Sequence, residues 1–163
     1  MHEIAIAATA DKPALYADLL SALDGLTAGE PDAIANMANA AALLWEYLPD
    51  INWAGFYRMV GGELVLGPFQ GKVACIRIAI GEGVCGMAAQ SGETQVVADV
   101  EAFPGHIPCD AASASEIVVP IMVNGAMFGV LDIDSPRKSR FDAEDADGCE
   151  KLVALLESRL SAN

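Results

Sequence analysis

The sequence is short of positive charge. Lysine and arginine together number 9 against 23 aspartates and glutamates in 163 residues, a formal net charge of −14. A surface this acidic repels phosphate backbones and anionic lipid, which argues against nucleic acid and membrane as partners. A ligand with a positive group is easier to accommodate. Long apolar runs are missing too: none approaches the roughly 18 consecutive residues that span a bilayer. The stretch Met1-His2-Glu3-Ile4-Ala5-Ile6-Ala7-Ala8 lacks the basic segment of a secretory leader, so a cytoplasmic protein is expected. Histidine is scarce (His2 and His106), and no two cysteines form C-x-x-C, so no zinc-site spacing is present. No repeat, low-complexity tract or Pro/Ser-rich linker divides the chain, and one domain over 1–163 is expected. Hydrophobic residues at 53% exclude global disorder.

What is present orders itself along the chain. Asp11-Lys12-Pro13 predicts a helix start, with Leu15, Leu19, Leu23 and Leu26 at helical spacing. Pro31 predicts a second start, followed by an apolar stripe of Ile34, Met37, Ala38, Ala41, Leu44, Trp45 and Leu48. From Asn52 the period becomes two. Asn52–Met59 and Glu63–Phe69 flank Gly61-Gly62, a hairpin signal. Val73–Ile80 reads as a third strand, with Ile76, Ile78 and Ile80 on one face and Cys75 and Arg77 on the other. Val84–Gln90 reads as a short helix and Gln95–Ala98 as a brief strand. The segment Asp99–Ser115 has no period, and loops of that length in compact domains are usually functional or disordered. Glu116–Val123 and Ala126–Asp134 form a second hairpin around Asn124-Gly125. Asp142 caps a last helix whose stripe holds Cys149, Leu152, Val153, Leu156 and Leu160. Hairpins followed and preceded by helices predict an α+β domain with a central antiparallel sheet.

Four cysteines in a cytoplasmic chain are not read as a disulfide framework; redox-active thiols and buried structural thiols are the two readings. Cys149 belongs to an apolar helix face and reads as a small buried hydrophobe. Cys75, Cys85 and Cys109 fall on a strand, at a glycine-flanked helix start and in the long loop, and the pattern leaves both readings open. A loop thiol with a second thiol in reach suits one chemistry: the first is oxidised to a sulfenic acid by its substrate, and the second condenses with it to a disulfide. The dipole at a helix start would favour the Cys85 thiolate. Strand alternation puts Asp132 and Asp134 on one face, with Glu116 opening the partner strand. Crowded carboxylates raise one another's pKa, leaving one as a proton donor and others for an ammonium group. A solvated strand end is the alternative. Trp53 and Tyr57 share a face and suit either an aromatic wall for a small apolar group or plain core packing. The run Arg137-Lys138-Ser139-Arg140 reads as a solvated turn.

Five segments together carry a resemblance. Asn52-Trp53-Ala54-Gly55-Phe56-Tyr57, Gly71-Lys72-Val73-Ala74-Cys75-Ile76, Gly81-Glu82-Gly83-Val84-Cys85-Gly86, Phe103-Pro104-Gly105-His106-Ile107-Pro108-Cys109-Asp110 and Val130-Leu131-Asp132-Ile133-Asp134-Ser135 resemble the free methionine-(R)-sulfoxide reductases, a stand-alone GAF-domain family. The match runs from about Tyr16 to about Leu156; Cys149 is outside the family's cysteine set. The resemblance implies a GAF-like α+β fold: a sheet of about six antiparallel strands over about 52–135, N-terminal helices over about 12–48 and a C-terminal helix over about 142–160, commonly as a homodimer. It implies reduction of free L-methionine (R)-sulfoxide to L-methionine, with Cys109 as nucleophile, Cys75 as resolving thiol and Cys85 as an auxiliary relay. Glu116, Asp132 and Asp134 would line the substrate pocket, Glu116 giving the proton, and Trp53 would pack near the substrate methyl. Thioredoxin would restore the thiols, and no metal or organic cofactor is called for. Two other readings stay open: a small-ligand-binding GAF sensor module, and a thiol redox switch without catalysis.

Overall fold

Two tight turns organise the sheet. The computed structural model describes Ile4, Ile6 and residues 11–160, so most of the Met1–Ala8 stretch lies outside the described residues. Strands β1 (Trp53–Val60) and β2 (Glu63–Gly71) meet at Gly61-Gly62. Strands β5 (Ser115–Val123) and β6 (Ala126–Ser135) meet at Asn124-Gly125. All four turn residues have positive φ, the conformation that two-residue hairpins need and that glycine and asparagine adopt most readily. With β3 (Arg77–Ile78) and β4 (Gln95–Val97), the strands form one antiparallel sheet in the order β3-β2-β1-β6-β5-β4.

The two faces of this sheet differ. On one, helices α1 (Lys12–Thr27), α2 (Ala33–Tyr47) and α4 (Ala143–Leu160) cover Ala54, Phe56, Ile117, Val119, Ile121, Leu131 and Ile133 in a continuous apolar core. Fully burying each large aliphatic side chain there contributes about 1.5–3 kcal/mol. On the other, the short α3 (Gly83–Ser91) packs Val84, Cys85 and Ala88 against Trp53, Tyr57, Val118 and Val130. Alternation assigns the faces of β6: Leu131 and Ile133 enter the three-helix core, while Asp132 and Asp134 take the α3 face.

Three expectations need correction. The second helix begins at Ala33, because the Asp32 carboxylate accepts from Ala35 N at 2.8 Å and so caps the helix. Its buried stripe is also rotated: Asn36, Met37, Ala40, Ala41, Leu43 and Leu44 are buried, whereas Ile34 and Trp45 are 44% and 40% exposed and Ala38 is exposed. Apolar residues encircle this alanine-rich helix, so periodicity alone does not choose its core face. The third strand is only Arg77–Ile78, paired to Val65 and Leu64. Val73 and Ile76 are 88% and 69% exposed. The segment before Arg77 is drawn over the sheet instead: the Tyr57 hydroxyl donates to the Cys75 carbonyl at 3.0 Å, and the Cys75 sulfur is bonded to Cys109. The long loop between β4 and β5 holds a short 3₁₀ turn, Val100–Ala102. Its return is pinned to the sheet end by Ala114 N donating to Ser135 O at 2.7 Å.

Candidate active site

The sheet register brings the carboxylates into rows. Trp53 pairs with Asp134, and Asp134 with Glu116, across β1, β6 and β5; Gly55, Asp132 and Val118 make the next row. Only glycine serves at position 55. A Cβ there would lie 2.8 Å from the Trp53 ring and equally close to the Phe69 backbone, so the bare backbone lets the indole lie along the strand. Trp53 then stacks on Phe69 (centroids 5.2 Å apart) and on Tyr57 (5.9 Å). Its Nε1 donates to Lys72 O at 3.1 Å. The aromatic wall is therefore held at both ends.

Above the sheet, Trp53, Tyr57, Cys85, Cys109, Glu116, Asp132 and Asp134 line a single cleft, of about 540 Å³ with its open mouth included. Cys75 closes the set through its disulfide to Cys109, with Cα atoms 5.7 Å apart. All eight residues singled out from sequence thus meet in one place. Cys109 is exposed and Cys75 half-buried; Cys85, Glu116 and Asp132 are buried.

Burial governs the electrostatics. It pushes the Glu116 carboxyl well above the ordinary carboxylate range, and the charges of Asp132 and Asp134 push the same way. Asp134 is likewise raised well above its usual value, first by burial and then by Asp132 and Asp110. Asp132 is raised less, to about 6, because hydrogen bonds from Cys85 and Glu116 oppose the burial. The Cys85 thiol is also driven well above its ordinary value, by burial first and then by Asp132, Glu116 and Asp134. The expected thiolate-favouring dipole at the start of α3 is outweighed: Cys85 stays a thiol, with Sγ 3.9 Å from Glu116 Oε1. The Asp132 Oδ1 is buried and has no hydrogen-bond partner among the described residues.

Sequence reasoning gave no role to the anchors of the Cys109 loop. Asn52 Nδ2 donates to Ser113 Oγ at 3.2 Å and reaches Asp110 Oδ2 at 3.5 Å; Lys72 Nζ approaches the same carboxylate at 3.7 Å. The spacing Asp110-x-Ala112 carries a turn signal that pointed to this: Asp110 Oδ1 accepts from Ala112 N at 2.9 Å. His106 also lines the cleft, with its pKa lowered by burial. Cys149 lies in the three-helix core on the other face of the sheet, fully buried beside Tyr16 OH at 3.7 Å. Burial pushes its thiol up to about 12, in keeping with the structural reading.

A six-stranded sheet that carries buried carboxylates, an aromatic wall and a thiol pair on one face defines a redox-capable member of the GAF class, and residues 35–159 match the GAF domain family. The chain is 53% identical over 151 residues to the free methionine-R-sulfoxide reductase of Escherichia coli, covering 93% of this chain and 92% of the relative. It is 47% identical to the Saccharomyces cerevisiae protein of the same name, covering 90% and 86%. The structure of the free methionine-R-sulfoxide reductase from Neisseria meningitidis in complex with its substrate superposes with a TM-score of 0.95 at 46% identity, covering 99% of this chain and 97% of that one. The chain belongs to the free methionine-R-sulfoxide reductase family of GAF-domain proteins.

Proposed function

We propose that this protein reduces free L-methionine (R)-sulfoxide to L-methionine, acting as one GAF-like catalytic unit. The observation that carries the reading is the exposed Cys109, bonded to Cys75 beside a cleft lined by the buried Glu116 and Asp132, the half-buried Asp134 and the aromatic Trp53 and Tyr57. Each part matches one part of the substrate. Asp132, with an unsatisfied buried oxygen, and Asp134 hold the ammonium group. Gly83, Val84 and Cys85, which open α3, line the cleft, and in this reading their amides hold the carboxylate, as helix N-termini favour anions. The aromatic wall receives the S-methyl group.

The chemistry balances on these residues. The Cys109 thiolate attacks the sulfoxide sulfur, and Glu116, kept protonated by its surroundings, gives a proton to the oxygen. Two electrons pass from Cys109 to the substrate sulfur; methionine leaves and Cys109 holds the oxygen as a sulfenic acid. The Cys75 thiol displaces that oxygen as water and forms the Cys75–Cys109 disulfide. Cys85 relays the disulfide onward, and an external dithiol of the thioredoxin type restores both thiols. A cleft that pairs both ends of a free amino acid leaves a peptide-bound methionine sulfoxide without its charges and the site's carboxylates without a partner. Association as a homodimer is part of the same reading.

Incubation with racemic methionine sulfoxide and dithiothreitol, followed by chiral separation, tests it. We expect methionine to accumulate over many turnovers while the R epimer alone disappears. Cys109→Ser abolishes that turnover and Cys149→Ser leaves it near wild type. Near-normal turnover by Cys109→Ser would remove the assigned nucleophile. Thiol oxidation that stops after one equivalent would favour a redox switch instead.

A further inference from the structure

Cys85, Glu116 and Asp132 lie so that one donor atom of each (the sulfur and two carboxylate oxygens) falls within 4.8 Å of the other two. They come from three separate elements, α3, β5 and β6. Every member is more than nine-tenths buried, at 4%, 7% and 6% exposed respectively. Asp132 Oδ1 has no hydrogen-bond partner among the described residues, and Asp132 is not ion-paired among them. A buried carboxylate oxygen without a partner is costly unless a ligand satisfies it. We propose that Cys85, Glu116 and Asp132 form a binding site for a single thiophilic divalent cation of the zinc or cadmium kind.

The donor set decides the class of ion. One sulfur with two oxygens suits a borderline-soft cation; calcium and magnesium take oxygen alone. With zinc–sulfur and zinc–oxygen bonds of about 2.3 and 2.0 Å, tetrahedral ligands stand about 3.3–3.5 Å apart. The Cys85 Sγ–Glu116 Oε1 separation of 3.9 Å is already near that value, and rotation of short side chains supplies the rest. Three protein donors leave the fourth position facing the cleft, where water completes the shell. The bound cation replaces the protons of the Cys85 thiol and of the Glu116 carboxyl, which leave to buffer. Such an ion is not a cofactor of the proposed reaction: it occupies the Asp132 carboxylate that the reaction assigns to the substrate ammonium.

The test uses the full chain with its Cys75–Cys109 disulfide formed and no turnover, so it stands or falls separately from the reductase reading. In that state Cys85 is the free thiol of the cleft, and the other free thiol is Cys149. Titration with cadmium chloride, followed by ultraviolet absorption, is expected to give a thiolate-to-cadmium charge-transfer band that saturates at one equivalent per chain. Cys85→Ser should remove the band and Cys149→Ser should keep it. Asp132→Asn should keep the band but raise the cadmium concentration at half-saturation at least tenfold, which decides the matter even if Cys85→Ser fails to fold. Absence of the band in the wild type, its survival in Cys85→Ser, or an unchanged titration of Asp132→Asn would overturn the site.

Discussion

Two buried aspartates, Asp145 in the helix layer on one face of the sheet and Asp132 in the cleft on the other, are treated in opposite ways. Asp145, in the first turn of α4, is fully buried. It is enclosed by Lys12 Nζ at 2.6 Å, Arg140 Nη1 at 3.1 Å, the Tyr16 hydroxyl at 3.0 Å and the Asp142 amide at 2.9 Å. Both oxygens are satisfied, and the group ties α1, α4 and the preceding loop together. Asp132, also buried, meets another carboxyl and a thiol, and one of its oxygens has no partner among the described residues. The first carboxylate is completed by the fold. The second keeps one oxygen that no described residue completes, and the fold carries the cost of its desolvation.

The contrast can be broken at either end. Asp145→Ala leaves the guanidinium of Arg140 buried and unpaired; we expect a loss of about 3–5 kcal/mol in denaturant unfolding, with the cleft chemistry otherwise intact. Retention of full stability would refute the structural role. The reverse substitution, Asp132→Asn, is expected to stabilise the protein near neutral pH by on the order of 1–3 kcal/mol, while sulfoxide reduction is largely lost. The sign follows from linkage: a carboxyl whose pKa is higher folded than unfolded favours the folded state at low pH, and that contribution fades as pH rises through the folded value, about 6 here. An amide escapes the fading. Unfolding curves at about pH 5 and pH 7.5 check both halves, since the wild type should narrow its deficit at the lower pH. A smaller effect concerns substrate capture. Protonating Asp132 below about pH 6 removes its negative charge, so the KM for free methionine sulfoxide should climb several-fold between about pH 7 and pH 5. A KM that stays flat over that range would remove Asp132 from ammonium binding.

Legibility in the sequence followed the strength of the local signal. The β5–β6 hairpin was readable because Asn124-Gly125 fixes the turn, and alternation from there places Asp132 and Asp134 on a common face. Cys149 was readable from its place on an apolar helix stripe. The face of α2 was not, because Ile34, Ala38 and Trp45 are as apolar as the residues that are buried. The segment before Arg77 alternates as a strand does, but a hydroxyl from β1 and a sulfur from the loop capture Cys75 instead of a ladder. The state of Cys85 turns on burial and on Asp132, Glu116 and Asp134, some thirty to fifty residues further along the chain. The anchoring of Asp110 and Ser113 by Asn52 likewise spans distant positions.

The alternation along β6 has a consequence for how faulty copies are dealt with. Leu131 and Ile133 are interleaved with Asp132 and Asp134 on one strand, so a slip of one residue would drive two acids into the three-helix interior and strand two aliphatics in the cleft. Such a chain would not persist as a folded protein. Correct assembly of the reactive centre is thereby proofread by the packing of the opposite face, and an insertion in the Asn124-Gly125 turn should yield degraded or aggregated material rather than an intact but idle protein.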